Sequence, residues 1–139
     1  MPISYLTRVV EFTATHRIRR ADWSDERNSR EFGNAAHDHA HRYQCHVTVK
    51  GPLAPETGGV TSLMALDALL AEEITARFGG KDIGTAAPQF AAGGWLATGE
   101  ALAVYVWGRL AGRLPAGVTM HAVRIQEDAH LYSEYLGEP

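Results

Sequence analysis

The chain has 139 residues, of which 45% are hydrophobic and 21% are charged, and its formal net charge is −3. The length predicts a single domain over residues 1–139, with the composition of an ordinary globular protein. The negative charge excludes a nucleic-acid binder that depends on a basic field, and no apolar run reaches the roughly 18 residues that a membrane span needs.

Cysteine content and the first residues bear on the expected location of the protein. Cys45 is the only cysteine, so no intrachain disulfide can form, which fits a reducing compartment. The stretch MPISYLTRVVEF lacks the basic region and the long apolar core of a signal peptide. We therefore expect a cytoplasmic protein.

The first half of the chain is predicted to contain two strands separated by a long loop. Residues 3–16 are rich in β-branched and aromatic side chains, which is typical of a strand. Residues 17–36 are polar and show no periodicity, so they are predicted to form a loop. Residues 37–51 alternate with a period of two, which predicts a second strand that Gly51 and Pro52 end.

The second half is predicted to contain two helices followed by two strands. The first helix is indicated by apolar side chains at helical spacing that stop before Gly79-Gly80, namely Leu63, Leu66, Leu70, Ile74 and Phe78. A second helix is expected over about residues 98–113, and strands over 118–127 and 130–136, with a tight turn at Asp128-Ala129. The order β-β-α-α-β-β predicts an α+β fold, with an antiparallel sheet and two helices on one face.

Histidines cluster at the start of the second predicted strand, in HDHAHRYQ (residues 37–44). His39 and His41 share the apolar face of that strand, and imidazoles at this spacing lie about 6.5 Å apart along it. His16 ends the apolar face of the first strand, so it is a candidate third ligand. Three histidines with an open fourth position are typical of a catalytic zinc, and a solvated strand end is the alternative that the pattern leaves open.

Several motifs together resemble the 6-pyruvoyl-tetrahydropterin synthase family, which includes the 6-carboxytetrahydropterin synthases. The resemblance runs nearly end to end, and any one of its motifs alone would be weak. The motifs are FTATHRI (12–18), similar to F-x-A-x-H-R; HAHRY (39–43), similar to H-G-H-N-Y; TGGV (57–60), before the first helix; TGEALAVYVWGRL (98–110), similar to T-x-E-N-x-A-x-x-x-W; and VRIQED (123–128), similar to V-x-V-x-E-T.

The resemblance implies a fold, an assembly and a set of site residues. The fold is the tunnelling fold, or T-fold, and the assembly is a homohexamer of two trimers with active sites between subunits. The implied zinc ligands are His16, His39 and His41. Glu127 would anchor a pterin ring, with an ion pair to an arginine as its alternative role, and Thr98 would add a polar contact, with helix capping as its alternative.

The implied activity is that of a zinc-dependent lyase or cyclase on a pterin-like or other small heterocyclic substrate, with zinc acidifying substrate hydroxyls. Three residues that the family uses for proton transfer are not evident here. Ala35 lies where the family has a cysteine, and Gly79-Gly80 lie where it has an Asp-His pair. Cys45 lies in the apolar part of its strand and is expected to be a core residue.

We therefore do not expect the ordinary family reaction at its ordinary rate. Other residues would replace the missing acid-base groups, and the period of two favours His37 because it places this side chain on the inward face. The full set of candidates is His37, Asp38, Asp128 and His130.

Two other functions stay open at this point. The zinc centre is suited to a non-pterin intermediate of a specialised pathway, in a cyclisation, an aldol-type step or a carbon–carbon cleavage. Alternatively, the protein is a non-catalytic zinc-containing binder. The arginines of the predicted loop either recognise an anionic group or are solvated or lie at an interface, and they are Arg17, Arg19 and Arg20.

Overall fold

Four strands form one antiparallel sheet in the computed structural model, which describes residues Met1–Pro139. The strands are β1 (Ile3–His16), β2 (His39–Pro52), β3 (Thr119–Asp128) and β4 (Leu131–Tyr135). Each strand pairs with its neighbour in chain order, so the sheet order is β1-β2-β3-β4. Both strands at the edges, β1 and β4, have one side that no other strand of the chain covers.

The helices lie in the β1–β2 and β2–β3 connections, and those of the second connection pack against one face of the sheet. They are α1 (Asp25–Phe32), α2 (Leu63–Leu70), α3 (Ala76–Phe78), α4 (Ile83–Ala86) and α5 (Gly99–Leu110). A π-helical turn, Ala71–Thr75, joins α2 to α3, so the predicted first helix is one continuous helical segment. No helix combines the length and the apolar character that a membrane crossing requires. The α+β class with an antiparallel sheet is confirmed.

The apolar face of the sheet is the one that the sequence alternation predicts. Phe12 and Ala14 of β1 are buried, as are Tyr43, Cys45 and Val47 of β2. Side chains from the helices complete the core from the other side, including Leu70, Ile74, Phe78, Leu102 and Val106. Because His16, His39 and His41 continue these same rows, the packing of the core decides where the histidines point.

The prediction of a loop over residues 17–36 is wrong for residues 25–36. Helix α1 and the 3₁₀ turn Gly33–Ala36 lie there. Ser24 caps α1, because its Oγ accepts a hydrogen bond from the Arg27 backbone N–H at 3.1 Å. The buried Asn28 amide donates to the backbone carbonyl of Arg20 at 3.0 Å. Capping and this polar anchor stabilise a helix whose sequence shows no apolar periodicity.

The turn between β3 and β4 lies one residue later than predicted. Asp128 pairs with Leu131, so the turn residues are Ala129 and His130. The Asp128 carboxylate accepts a hydrogen bond from the backbone N–H of His130 at 2.7 Å. This local bond is the physical reason for the shift, since an aspartate that bonds to the backbone two residues later favours a turn.

Glu73, in the π-helical turn, ties the α2–α3 segment to α5. Its side chain is 2% exposed and accepts hydrogen bonds from Arg109 Nε at 2.6 Å and Arg113 Nη1 at 2.9 Å. A third guanidinium, that of Arg77, lies 3.6 Å from it. The hydrogen bond from Arg109 is the largest of the effects that hold the pKa of Glu73 below its ordinary value. The buried carboxylate is therefore ionised and fully paired.

We predict that Glu73→Gln lowers the free energy of unfolding by about 1–2 kcal/mol at neutral pH, as expected for charge-assisted bonds to arginines that are partly exposed to water. Because the folded-state pKa of Glu73 is below 4.5, its contribution is present above about pH 4.5 and is lost as the pH falls through that lower value. Urea unfolding at several pH values measures both effects.

Glu72→Gln is the matched control. This neighbouring carboxylate is 63% exposed and pairs with Arg113 alone. We expect Glu72→Gln to change stability clearly less than Glu73→Gln. Equal effects of the two substitutions, or a Glu73→Gln deficit that persists in acid, would contradict the role given to Glu73.

Candidate metal centre

Pairing of β1 with β2 brings the three predicted ligands together. His16 lies directly opposite His39 in the antiparallel register, and His41 follows two residues later on the same face. The ring centroids are 4.4 Å apart for His16 and His39, 5.0 Å for His16 and His41, and 4.8 Å for His39 and His41. One nitrogen from each ring lies within 4.8 Å of the other two. The predicted cluster is present.

Backbone carbonyls orient two of the rings. The Nδ1 atom of His16 lies 2.7 Å from the carbonyl oxygen of Ala97, and the Nδ1 atom of His39 lies 2.7 Å from that of His37. A carbonyl oxygen only accepts hydrogen bonds, so each Nδ1 carries the proton and donates it. The lone pairs of both rings are therefore on Nε2, which is the arrangement found in metal-bound histidines.

The Nε2 atom of His16 shows that the centre suits a metal. His16 is 1% exposed, and its Nε2 is buried without a hydrogen-bond partner. Leaving a buried polar atom unpaired is costly, so this nitrogen requires a group that the protein does not itself supply. Three imidazole nitrogens facing one another form a donor set that Zn²⁺ accepts. The residues therefore fit the metal that the sequence implies.

Electrostatics keep His16 and His41 available as ligands. Burial lowers the pKa of His16, and the neighbouring His39 and His41 lower it further, against the raising effect of the bond to Ala97. Burial likewise lowers the pKa of His41, with His39 contributing. Neutral imidazoles are therefore favoured at physiological pH, and a neutral ring is the form that binds a metal.

Glu127 lies beside this cluster on β3. Its side chain is 7% exposed, and its Oε1 is 3.7 Å from the Nε2 of His16. No arginine or lysine forms an ion pair with it, so the alternative role predicted for Glu127, a salt bridge to an arginine, is wrong in this chain. Burial is the main cause that raises the pKa of Glu127, and Glu100 and Asp128 add to it.

Thr98 caps helix α5 next to Glu127. Its Oγ1 accepts a hydrogen bond from the backbone N–H of Ala101 at 3.1 Å, so the capping role is confirmed. Gly99 follows, and a Cβ atom at that position would lie 3.1 Å from Glu127 Oε2. The absence of a side chain at Gly99 thus allows the helix to approach the carboxylate closely. A contact from Thr98 to a ring ligand stays a prediction.

Similarity to known proteins agrees with this geometry. The family model described as 6-pyruvoyl tetrahydropterin synthase matches residues 5–138. The chain belongs to this family. A 6-pyruvoyl tetrahydrobiopterin synthase of Poecilia reticulata is 37% identical over 138 residues, which cover 98% of this chain and 92% of the relative. The Homo sapiens protein of the same name is 35% identical, over 96% of this chain and 91% of its own length.

A solved structure also shows the family fold. The 6-pyruvoyl tetrahydropterin synthase of Caenorhabditis elegans superposes with a TM-score of 0.88 at 25% sequence identity. The superposition covers 99% of this chain and 98% of that one. The T-fold predicted from the sequence is therefore confirmed, and the histidine cluster lies in a synthase-family chain.

The acid-base candidates lie around the cluster and not within it. The prediction that His37 shares the inward face is wrong, because β2 begins only at His39 and His37 is exposed after a 3₁₀ turn. Asp38 is also exposed and lies 3.8 Å from Arg17. Asp128 and His130 are exposed at the β3–β4 turn. Of the four, Asp128 is close enough to His41 and Glu127 to raise the pKa of both.

The three arginines of the segment after β1 line a cleft of about 530 Å³ that reaches Ala97, the residue that orients His16. Trp95 and Phe90 lie in its wall. Each arginine has an aspartate partner: Arg17 with Asp38, Arg19 with Asp25 and Arg20 with Asp22. These pairs lie at the surface and are weak, so recognition of an anion and a solvated or interface position both stay predictions for the arginines.

Sequence reasoning missed two parts of the centre. The carbonyl of Ala97 orients His16 across 81 positions of the chain, and a backbone group leaves no sequence signal. Tyr43 packs edge-on against His16 and His41, with ring centroids 5.8 and 5.5 Å apart, and its buried hydroxyl has no partner. The sequence did contain a signal for this contact, because Tyr43 lies two residues after His41 on the same face of the strand.

Cys45 is a core residue, as predicted. It is 0% exposed, and its neighbours in the adjacent strands are Val10 and Ile125. Burial raises the pKa of the Cys45 thiol to about 12. A thiol that is both inaccessible and protonated is a poor nucleophile.

We predict that Cys45 in the folded protein does not react with Ellman's reagent at pH 8, because no thiolate is accessible at that pH. Full reaction is expected once urea unfolds the chain, which is the internal control for the reagent. Absorbance at 412 nm measures both rates. Rapid stoichiometric reaction of the native protein would contradict the core placement of Cys45.

Proposed function

We propose that this protein is a zinc-dependent lyase or cyclase that acts on a pterin-like heterocyclic substrate. The observation that carries the proposal is the convergence of three imidazoles, one of which has a buried, unpartnered Nε2. Membership of the synthase family supports the lyase class, since relatives at 35–37% identity bear the name 6-pyruvoyl tetrahydrobiopterin synthase.

The proposal assigns a separate role to the histidines, to the carbonyls that orient them and to Glu127. The three histidines hold Zn²⁺ through their free nitrogens, while the carbonyls of Ala97 and His37 keep two of the rings in the required tautomer. Bound zinc supplies a Lewis acid that polarises and acidifies a substrate oxygen. Glu127 accepts hydrogen bonds from the N–H edge of the ring, since it lies next to the cluster and has no cationic partner.

Proton transfer in the proposed reaction uses groups other than those of the wider family. Ala35 and Gly79-Gly80 carry no titratable side chain, and Cys45 is protonated and buried. Asp128 is the candidate that the geometry favours, because it is exposed next to His41 and Glu127. The names of the relatives give no support to an altered reaction, so this part of the proposal rests on the sequence alone.

A non-catalytic pterin binder is the second candidate function. The observation that favours it is the exposure of all four acid-base candidates, none of which contacts the histidine nitrogens through its side chain: His37, Asp38, Asp128 and His130. Binding of a ring to Glu127 and a metal needs no proton transfer. Product formation separates the two candidates.

We also propose that residues 1–139 form one domain that assembles into a cytoplasmic homohexamer of two trimers. One hydrophobic cluster of 23 residues supports the single domain. The edges of β4 and of the part of β1 before Thr13 support self-association, because an uncovered strand edge is a template for pairing with another chain, whereas Thr13 and Thr15 already bond to Gly80 and Lys81. Large apolar side chains are exposed on both edge strands, namely Ile3, Tyr5 and Val9 on β1, and Leu131 and Tyr132 on β4.

We predict that the purified protein contains one zinc per chain, and that His39→Ala removes both the zinc and any turnover, since it deletes one of three ligands. Inductively coupled plasma mass spectrometry measures the metal. His46→Ala is the matched control, because His46 lies on the same strand but on its opposite face, hydrogen-bonded to Gln44. Zinc retained by His39→Ala, or lost equally from His46→Ala, would refute the assignment.

We predict that a reduced pterin raises the melting temperature of the zinc-loaded protein, because binding to the folded state alone stabilises it. A thermal-shift panel of pterins and purines, followed by chromatography for products, tests this and separates an enzyme from a binder. Dihydroneopterin triphosphate is expected to give little or no product. Robust turnover of that compound would overturn the altered acid-base chemistry, and a panel without any pterin shift would overturn the substrate class.

A further inference from the structure

The cleft of about 530 Å³ that reaches Ala97 lies behind the metal centre. The carbonyl of Ala97 accepts the hydrogen bond from Nδ1 of His16. The two nitrogens of an imidazole lie on different sides of its ring, so the cleft is on the side of His16 away from Nε2. None of the three metal ligands lines the cleft, and Glu127 does not either. The proposed function therefore leaves this cleft unused.

One wall of the cleft holds an aromatic side chain that solvent reaches. Trp95 is 48% exposed, although it is a large apolar residue in a concave surface. The buried Phe90 supports it, with ring centroids 6.4 Å from Trp95 and 5.5 Å from Tyr105 in the core. The Trp95 backbone N–H donates to the Gln89 carbonyl at 2.7 Å, which fixes the turn. Trp95 is thus held in place as a stacking surface for a planar ring.

A second segment lining the cleft carries three guanidinium groups, those of Arg17, Arg19 and Arg20. The buried Asn28 holds this segment through two bonds. Its Oδ1 accepts from the Arg20 backbone N–H at 2.8 Å, and its amide donates to the Arg20 carbonyl at 3.0 Å. The backbone that carries the arginines is therefore fixed before any ligand arrives, which lowers the entropy cost of binding.

The three arginines differ in how many of their donors are occupied. Arg20 donates twice to Asp22, and Arg19 makes one such bond to a carboxylate. Arg17 makes none, because its Nε is 3.8 Å from Asp38, which is longer than a hydrogen bond. A guanidinium with unoccupied donors matches the two oxygens of a carboxylate or a phosphate.

Acidic groups of the cleft do not cancel this positive charge. Asp22 and Asp82 are the two carboxylates in its lining, and the three arginines outnumber them. The Asp82 carboxylate already accepts hydrogen bonds from the Thr15 hydroxyl at 3.2 Å and from the Gly84 backbone N–H at 2.9 Å. An anion that enters the cleft therefore meets an excess of cationic groups.

We propose that this cleft is a second binding site, for a small molecule in which a planar aromatic ring carries a phosphate or carboxylate group. The ring stacks on Trp95, and the oxyanion binds Arg17. The volume of the cleft lies within the roughly 300–1,000 Å³ of small-molecule pockets, and its mixture of aromatic walls with a few polar groups is typical of them. Binding here requires no zinc.

Naphthyl phosphate and naphthoate test the ligand class, because each joins an aromatic ring to one of the two oxyanions. Isothermal titration calorimetry on the wild-type protein is expected to show binding of these anions at least about tenfold tighter than that of naphthol or inorganic phosphate, since only the anions use both walls. The tighter of the two anions identifies the preferred oxyanion. Naphthol that binds as tightly as the anions, or anions that fail to bind at millimolar concentration, would overturn the proposal.

Two substitutions locate the binding. Arg17→Gln should weaken the binding of naphthyl phosphate at least about tenfold, and Trp95→Ala about fivefold or more, as expected for a charge-assisted bond and a stacking contact. Arg30→Gln is the matched control, because it removes the same charge from an exposed residue of α1 outside the cleft. Equal losses from Arg17→Gln and Arg30→Gln would mean that only the net charge attracts the probe, and would refute the site.

The variant His39→Ala separates this site from the metal centre. It lacks a metal ligand but keeps every residue of the cleft, so it should bind naphthyl phosphate as tightly as the wild type does. Loss of binding in His39→Ala would place the probe at the metal and overturn the proposal. A wild-type protein without zinc that still binds naphthyl phosphate would overturn the proposed function and leave the second site intact.

Discussion

The antiparallel register of β1 and β2 is the constraint on which the rest of this structure depends. It sets His16 against His39, and the pleat places His41 on the same face one step further along β2. A slip of one residue would turn one row of side chains to the opposite face of the sheet. The burial of Phe12 and Tyr43, which stack at 5.1 Å, therefore fixes the metal centre as well as the core.

The histidine centre and the helical layer differ in whether their buried polar groups have hydrogen-bond partners. Glu73 is buried with three arginines around it, and its charge stabilises the contact between helices. By contrast, the Nε2 of His16 and the hydroxyl of Tyr43 are buried without hydrogen-bond partners at the end of the core, where the two rings pack with centroids 5.8 Å apart. Unpaired groups of this kind lower stability unless a ligand satisfies them. Two of the three buried side-chain atoms without a partner lie at this centre, and the third is the Nε of Arg77, beside Glu73 in the helical layer.

Much of this arrangement was accessible from the sequence because strand periodicity is strict. The rows ending in His16 and His41 follow from a period of two, and Glu127 extends the row of Val123 and Ile125. Helix α1 was missed because its stability comes from the Ser24 cap and the Asn28 amide, not from an apolar stripe. His37 was misplaced because alternation in a sequence does not reveal where a strand begins.

The contacts that orient the ligands were beyond sequence reasoning for a different reason. The carbonyls of Ala97 and His37 act through the backbone, and their identity depends on how distant segments come together. The same holds for the proximity of Glu127 to His16, which joins β3 to β1 across the sheet. The residue types that can bind a metal were visible in the sequence. The contacts between distant segments of the chain that orient those residues were not.

X-ray absorption at the zinc edge of the purified protein tests the central claim most directly, because it identifies the atoms bound to the metal. The account predicts three imidazole nitrogens and a fourth light ligand at about 2.0–2.2 Å. A sulfur ligand at about 2.3 Å would mean that Cys45 leaves the core to bind the metal, and a spectrum with fewer than three imidazoles would mean that the histidine cluster is not the metal site. Either result would contradict the account.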